Sequence, residues 1–348
     1  MAGWQALLGT EWPIIQAPMA GVQDSTLAIA VASAGGLGSL PAAMLDAAAL
    51  RAELSRLREA TPAPFNINFF CHQPPAHDAA REARWRERLL PYDREFGLPG
   101  DAPAPAAARR PFDADALAVL ADFKPRVVSF HFGLPDEVLL APLRAWGTTI
   151  MASATTVNEA RWLAARGVDL IIAQGLEAGG HRGHFLDDDL SLQMGTFALL
   201  PQVVRAVNVP VVAAGGVTDA AGVRAAMALG ACGVQAGTAY LLCPEATTSP
   251  LHRAALQSPA AAHTALTNLY SGRPARGIVT RLMRDLGPLS DETPPFPLAA
   301  AALAPLRARA EAAGSGDFSP LWAGQNASGC QPVPAAQLTR ELALGCAA

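Results

Sequence analysis

The sequence has little of what staples, chelates or anchors a chain. Its five cysteines, Cys71, Cys232, Cys243, Cys330 and Cys346, are odd in number and scattered, without a CxxC pair. That pattern argues against a disulfide framework or a zinc site and for a reducing compartment. HExxH and clustered carboxylates are missing, so no metal is expected. Lys124 is the only lysine, in Phe-Lys-Pro just before a predicted strand, a poor place for a Schiff base or for pyridoxal phosphate. The run from Pro297 to Leu306 is bounded by prolines and falls far short of the ~20 apolar residues that cross a bilayer. The opening Met-Ala-Gly-Trp-Gln has no basic segment leading into an apolar core, as a signal peptide would. A net charge of -4 leaves no nucleic-acid footprint. These absences predict a cytoplasmic protein that binds neither membrane nor nucleic acid, and they leave monomer or homodimer open.

What is present is 348 residues, 51% hydrophobic and 16% charged, ordinary for a globular enzyme. A short apolar strand, a glycine-rich or polar turn and an Ala/Leu/Arg helix recur about every 25 to 40 residues, the alternation of βα units. Eight strands are predicted near 14–17, 38–40, 65–69, 127–130, 149–152, 170–173, 211–213 and 234–235. Helices are expected at 25–33, 46–59, 113–122, 136–146, 157–166, 196–207 and 219–229, several opened by an Asp, Ser or Thr cap. The fold this predicts is a closed (β/α)8 TIM barrel at 1–70 and 112–244. A doubly wound sheet is weaker, because Gly35-Gly36-Leu37-Gly38 follows a helix rather than a strand. Residues 71–111 read as a helical insertion followed by a Pro/Ala-rich loop. Residues 245–348 read as a C-terminal helical lobe over the barrel mouth.

Barrel active sites lie at the C-terminal ends of the strands. Gly215-Gly216 and Gly237-Thr238 follow the seventh and eighth predicted strands, where backbone N–H groups commonly hold a phosphate. Each pair, taken alone, also fits a tight turn. Asn68, Gln174 and Gln235 are neutral amides on three strands, suited to the edge of a flavin ring or, equally, to barrel backbone. Pro18-Met19 offers a flat apolar surface, or plain core packing. His181 follows Gly179-Gly180 in a loop read as flexible enough to carry an imidazole over a bound ring. Its neutral form would take a proton and its charged form would hold an anion. His131, between two phenylalanines, is either a substrate contact or a satisfied core histidine. His184 reads as a loop residue, Glu177 and Arg182 as partners of each other or of solvent, and Asp219 as a helix cap.

Gln16-Ala-Pro-Met-Ala-Gly21, Ser33-Ala-Gly-Gly-Leu-Gly38, Ala173-Gln-Gly-Leu-Glu-Ala-Gly-Gly-His-Arg-Gly183, Ala213-Ala-Gly-Gly-Val217 and Gln235-Ala-Gly-Thr238 together resemble the nitronate monooxygenases. The resemblance runs from about 13 to 243 and resumes at 270–277 and 321–325. Phe65–Phe70, Ser129–Gly133 and Trp322-Ala-Gly-Gln325 look like the subgroup that needs no NAD(P)H. The resemblance implies noncovalent FMN at Pro18, Met19, Ala20, Asn68, Gln174, Gly179, Gly180, Gly216, Gln235, Ala236, Gly237 and Thr238. It implies His181 as the active-site histidine, and an anionic alkyl nitronate such as propionate 3-nitronate as substrate with O2. Carbonyl compound and nitrite would form by way of a flavin semiquinone. An FMN-dependent enoyl-thioester reductase or NAD(P)H:quinone reductase on the same fold is the alternative, since both share the Gly-Gly-His loop. Gln174, where enoyl reductases tend to carry an acid, counts against it.

Overall fold

A computed structural model describes residues 2–76, 78–99 and 109–346. The Pro/Ala-rich loop expected within 71–111 falls mostly at 100–108, outside the described residues. In chain order the strands are β1 (Ile14–Gln16), β2 (Gly38–Pro41), β3 (Phe65–Phe70), β4 (Val127–His131), β5 (Thr149–Ala154), β6 (Leu170–Gln174), β7 (Gly180–His181), β8 (Val211–Ala214), β9 (Gly233–Ala236), β10 (Thr264–Thr267) and β11 (Ala275–Ile278). The eight predicted strands all form, within two residues at either end.

Eight strands pair in parallel in the order β1-β9-β8-β6-β5-β4-β3-β2. A parallel bridge between Ile15 and Leu37, with Gln16 N–H donating to Leu37 O at 3.0 Å, joins β1 to the start of β2 and closes the barrel. Its helices are α2 (Ser25–Ser33), α3 (Ala47–Ala60), α5 (Ala114–Phe123), α6 (Glu137–Ala145), α7 (Val157–Ala165), α8 (Thr196–Ala206) and α9 (Ala220–Ala228). Asp24, Asp46, Asp113 and Asp219 each accept a first-turn N–H, worth about 1 kcal/mol apiece. Helix α13 (Ala335–Ala343) returns to the barrel and packs against α2 and α9, completing the ring.

Period-two alternation sorts the strand residues into two cores. Ile14, Ile67, Val128, Phe130, Ile150 and Ile171 face the helices. Ile15, Val127, Met151, Leu170, Ile172 and Val212 face inward. A helix that the sequence did not announce, α1 (Ala2–Leu8), inserts Trp4 and Leu8 into this inner cluster, and Trp4 Nε1 donates to Thr10 Oγ1 at 2.7 Å. Lys124 caps α5 just ahead of β4, away from the strands' C-terminal ends.

A separate core joins the insertion to the C-terminal segment. Helix α4 (Ala79–Glu95) packs Trp85, Leu89 and Tyr92 against Leu282 and Met283 of α11 (Arg281–Leu286), Leu303 and Leu306 of α12 (Leu298–Ala312), and Phe318. Each such buried side chain is worth roughly 1.5–3 kcal/mol. The segment is less helical than expected, because β10 and β11 form an antiparallel hairpin. Strand β11 then pairs with β7, Ala275 opposite His181 and Arg276 opposite Gly180.

Candidate active site

The β7–β11 pairing sets the geometry of the barrel mouth. The segment around His181, read as a flexible loop, is a strand tied to a hairpin. Gln174 Nε2 donates to His181 O at 2.9 Å, and Gln174 Oε1 accepts from Gly183 N at 2.8 Å. His131 Nε2 approaches the same His181 carbonyl at 3.2 Å. A carbonyl only accepts, so His131 carries its proton on Nε2, and its Nδ1 accepts from Ser153 Oγ at 3.0 Å.

Arg182 and Glu177 form no ion pair with each other, and of the two only Glu177, half-buried, reaches solvent. Arg182 is fully buried and donates to Gln174 O, Gly175 O and Gln193 Oε1 at 2.6 to 2.8 Å. Burial lowers its guanidinium to about 9. Glu177 accepts from Thr196 N and Oγ1 at the start of α8. His184 lies in a loop, as read, and is buried there, with Asp188 3.3 Å away. Buried Glu159 was missed. It accepts from Thr155 N and Phe185 N, both at 2.7 Å, and so ties α7 to the chain after His181.

His181 faces a cleft of about 1270 Å³, open mouth included, across the C-terminal ends of the strands. Its Nε2 lies 2.9 Å from Ser271 Oγ, and its ring packs at 5.3 Å from Phe296 and 5.6 Å from Trp322. Phe70 and Phe132 extend this aromatic wall, with ring centres 4.9 Å apart. Burial holds the His181 imidazole well below its ordinary value, and the nearby Arg109 charge adds to that. Burial also lowers His131 to about 3 and His72 to about 4. The site thus presents neutral imidazoles at neutral pH, not the cationic His181 also considered for anion binding.

Of the cofactor set, Pro18, Met19, Ala20, Asn68, Gln174, Gly179, Gly180, Gly216, Gln235, Gly237 and Thr238 line this cleft together with His131 and His181. Ala236 does not. Its side chain is buried in the helix-facing core, and its carbonyl accepts from Ala17 N at 2.8 Å. Asn68 is held by Ser129, with Nδ2 3.0 Å from Ser129 Oγ. Beneath it runs a polar floor in which Asn66 Nδ2 donates to Ser39 Oγ and Ser129 Oγ, and Gln16 Nε2 donates to Gln23 Oε1.

Several features suit a flavin mononucleotide. Gln235 Oε1 is buried without a hydrogen-bond partner, an acceptor awaiting a donor. Gly215 and Gly216 sit past the last ladder residue of β8 with φ of 109° and 77°, so main chain rather than side chain faces the cleft. A Cβ on Gly179 would stand 2.5 Å from Gly324 N and 2.6 Å from Ala323 C. Among the described residues, no aspartate or glutamate lines the wall.

The sequence reading gave no role to Arg109, Ser129, Ser153, His252, Ser271, Phe296, Trp322 or Asn326. Ser271 and Trp322 lie inside quoted motifs, and nothing in the local sequence marks Arg109 or Phe296.

A sequence profile described as nitronate monooxygenase matches residues 3–345. A nitronate monooxygenase of Pseudomonas aeruginosa is 43% identical over 97% of this chain and 96% of its own length. One from Paraburkholderia phytofirmans is 44% identical over 97% and 92%. Among solved structures, a nitroalkane oxidase from Streptomyces ansochromogenes superposes with a TM-score of 0.89 at 39% identity, covering 98% of this chain and 96% of that one. FabK from Thermotoga maritima superposes less closely, with a TM-score of 0.73 at 29% identity over 97% and 93%.

Proposed function

This chain belongs to the nitronate monooxygenase family, and from that premise we propose that it binds FMN along the rim cleft and oxidises alkyl nitronates with O2 to a carbonyl compound and nitrite. The observation that carries the reading is a neutral imidazole facing a cleft whose wall bears amides, main chain and an arginine but, among the described residues, no carboxylate. Such a wall accepts an anionic substrate and sets no negative charge beside a ring that takes up electrons.

Bound there, FMN would supply the electron acceptor for the nitronate and the donor for O2. Gly215, Gly216, Gly237 and Thr238 would hold its phosphate, Asn68 and Gln235 its ring edge, and Pro18-Met19 one ring face. His181, locked by Gln174, His131 and Ser271, orients the substrate. Its lowered proton affinity makes it a weak base, and general-base catalysis is strongest where the pKa lies near the working pH. Withdrawing a proton from a neutral nitroalkane is therefore unfavourable. A nitronate has already lost that proton.

Nitrite release and O2 uptake with a preformed nitronate, set against the parent nitroalkane, test this. The nitronate is expected to be oxidised without nicotinamide and the nitroalkane far more slowly. His181→Asn should keep FMN yet lose roughly 10²-fold in turnover through misplaced substrate, and unchanged turnover removes His181 from the reaction. Anaerobic mixing with NADH addresses the reductase alternative, where rapid flavin bleaching would overturn the assignment.

A further inference from the structure

Among the described residues, nothing balances a positive charge at the mouth of the cleft. Arg109 stands at the end of the insertion, where Arg110 N–H donates to Ala43 O at 2.9 Å and Pro111 bridges to Phe70. Its side chain lines the cleft, with the guanidinium 5.9 Å from the centre of the Phe296 ring. His181 packs on the same ring at 5.3 Å.

The other arginines near the site are taken up by the protein. Arg182 donates to two carbonyls and Gln193, Arg276 donates to Leu176 O at 2.9 Å, and Arg273 donates to His184 O. Arg109 has none of this. Among the described residues no carboxylate forms an ion pair with it, and its Nε is buried without a partner. The charge that acts on it most is another cation, Arg307, which is itself engaged by Glu311 at 2.7 Å. A guanidinium withdrawn from water without an acceptor is destabilising. At a cleft wall it marks a place that a ligand completes.

We propose that Arg109 is the specificity-determining residue for a second negative charge on the substrate, binding a carboxylate at the far end of the nitronate and so favouring short nitronates of carboxylic acids over alkyl nitronates that lack a carboxylate. The proposal rests on nitronate oxidation at this site. Phe296 stands in contact with both the imidazole and the guanidinium, so an anion on Arg109 sits away from the carbon that reacts beside His181. The planar fork of a guanidinium matches a carboxylate through two parallel N–H donors.

The test compares FMN-loaded wild type, Arg109→Met and Arg109→Lys on two preformed nitronates, propionate 3-nitronate and propyl-1-nitronate, which lacks the carboxylate. For Arg109→Met, kcat/KM on the carboxylate should fall at least tenfold, carried by KM, with partial recovery in Arg109→Lys. The nitronate without a carboxylate should change less than threefold. A second readout needs no turnover: propionate titrated against the flavin absorbance should bind at least tenfold more weakly to Arg109→Met. Equal losses on both nitronates, unchanged propionate binding, or failure of the variant to retain FMN would each overturn the assignment. If wild type oxidises neither nitronate, the functional reading fails, while the propionate titration still reports on Arg109.

Discussion

On the β8–β9 side of the cleft the wall is main chain and small residues: Gly215, Gly216, Gly237 and Thr238, each within a few positions of a strand end. On the His181 side it is aromatic rings, neutral imidazoles and an arginine, drawn from β3, β4, β7, the insertion and the C-terminal segment. The first side is local in sequence, made by how a strand ends. The second is assembled at long range, as when His181 meets Ser271 90 positions away, or when Arg276 reaches Leu176 across 100. The first suits a fixed cofactor that needs close backbone approach. The second is where substrate charge and shape are read, and where a relative of the same fold is free to differ.

The two sides meet at Gly179, and substitution there should break the division most severely. A Cβ at Gly179 would lie 2.5 to 2.6 Å from the main chain of Ala323 and Gly324, neighbours that cannot rotate away. Overpacking of this kind costs about 1–3 kcal/mol and sometimes more. Gly179→Ala is expected to lose FMN on gel filtration, read as lost absorbance near the flavin bands, and to damage both sides together. Full retention of FMN would show that the crossing point yields. By contrast, Gly180→Ala has no atom within 4 Å of the added methyl and should suffer chiefly from its φ of 71°.

This division also accounts for what the sequence revealed. The eight barrel strands were legible because continuous apolar runs alternate with capped helices. The glycine turns were legible because they abut those strands. Hairpin β10–β11 was not, since Thr264, Ala265 and Leu266 are only half-buried and give no clean alternation. Helix α1 is too short to show a period, and its role depends on Trp4 meeting the barrel floor. Gln174 read as a candidate ring contact, yet its side chain also fastens His181 and Gly183, a pairing set by the turn at 175–180. Arg109 and Phe296 carry no local mark, because what distinguishes them is which partner each has or lacks in space.

Acid should act mainly on the long-range side. His72, His131 and His184 are buried neutral, with proton affinities lowered by burial to about 4, 3 and 3. Buried His252 on the cleft wall behaves alike, at about 4. Unfolded, each titrates near 6.5. Below about pH 6.5 the unfolded chain takes up protons that the folded chain refuses, so stability falls as pH falls, down to about pH 4. The free energy of unfolding in urea, and with it the midpoint, is therefore expected to drop between pH 7.5 and pH 5, the free energy by on the order of several kcal/mol in total. A midpoint constant over that range would mean that these imidazoles are not held neutral.

The smallest effect, and the most specific to the His181 side, is expected at Ser271. Its hydroxyl lies 2.9 Å from His181 Nε2 and 3.3 Å from Arg273 O. A carbonyl only accepts, so the hydroxyl proton goes to Arg273 O, and Ser271 accepts from His181 Nε2–H. That choice leaves Nδ1 as the basic nitrogen and fixes the ring plane through a residue that the C-terminal segment supplies. Ser271→Ala leaves a buried N–H without an acceptor, a cost of about 1–3 kcal/mol, and should lower kcat/KM roughly tenfold with FMN retained. Losing the acceptor also disfavours the protonated ring, so the acid limb of the kcat/KM profile should move to lower pH. Ser271→Thr, which keeps the hydroxyl, should restore both rate and profile. A rate loss with an unmoved acid limb would reduce Ser271 to packing, and would leave Gln174 and His131 as the residues that hold His181 in place.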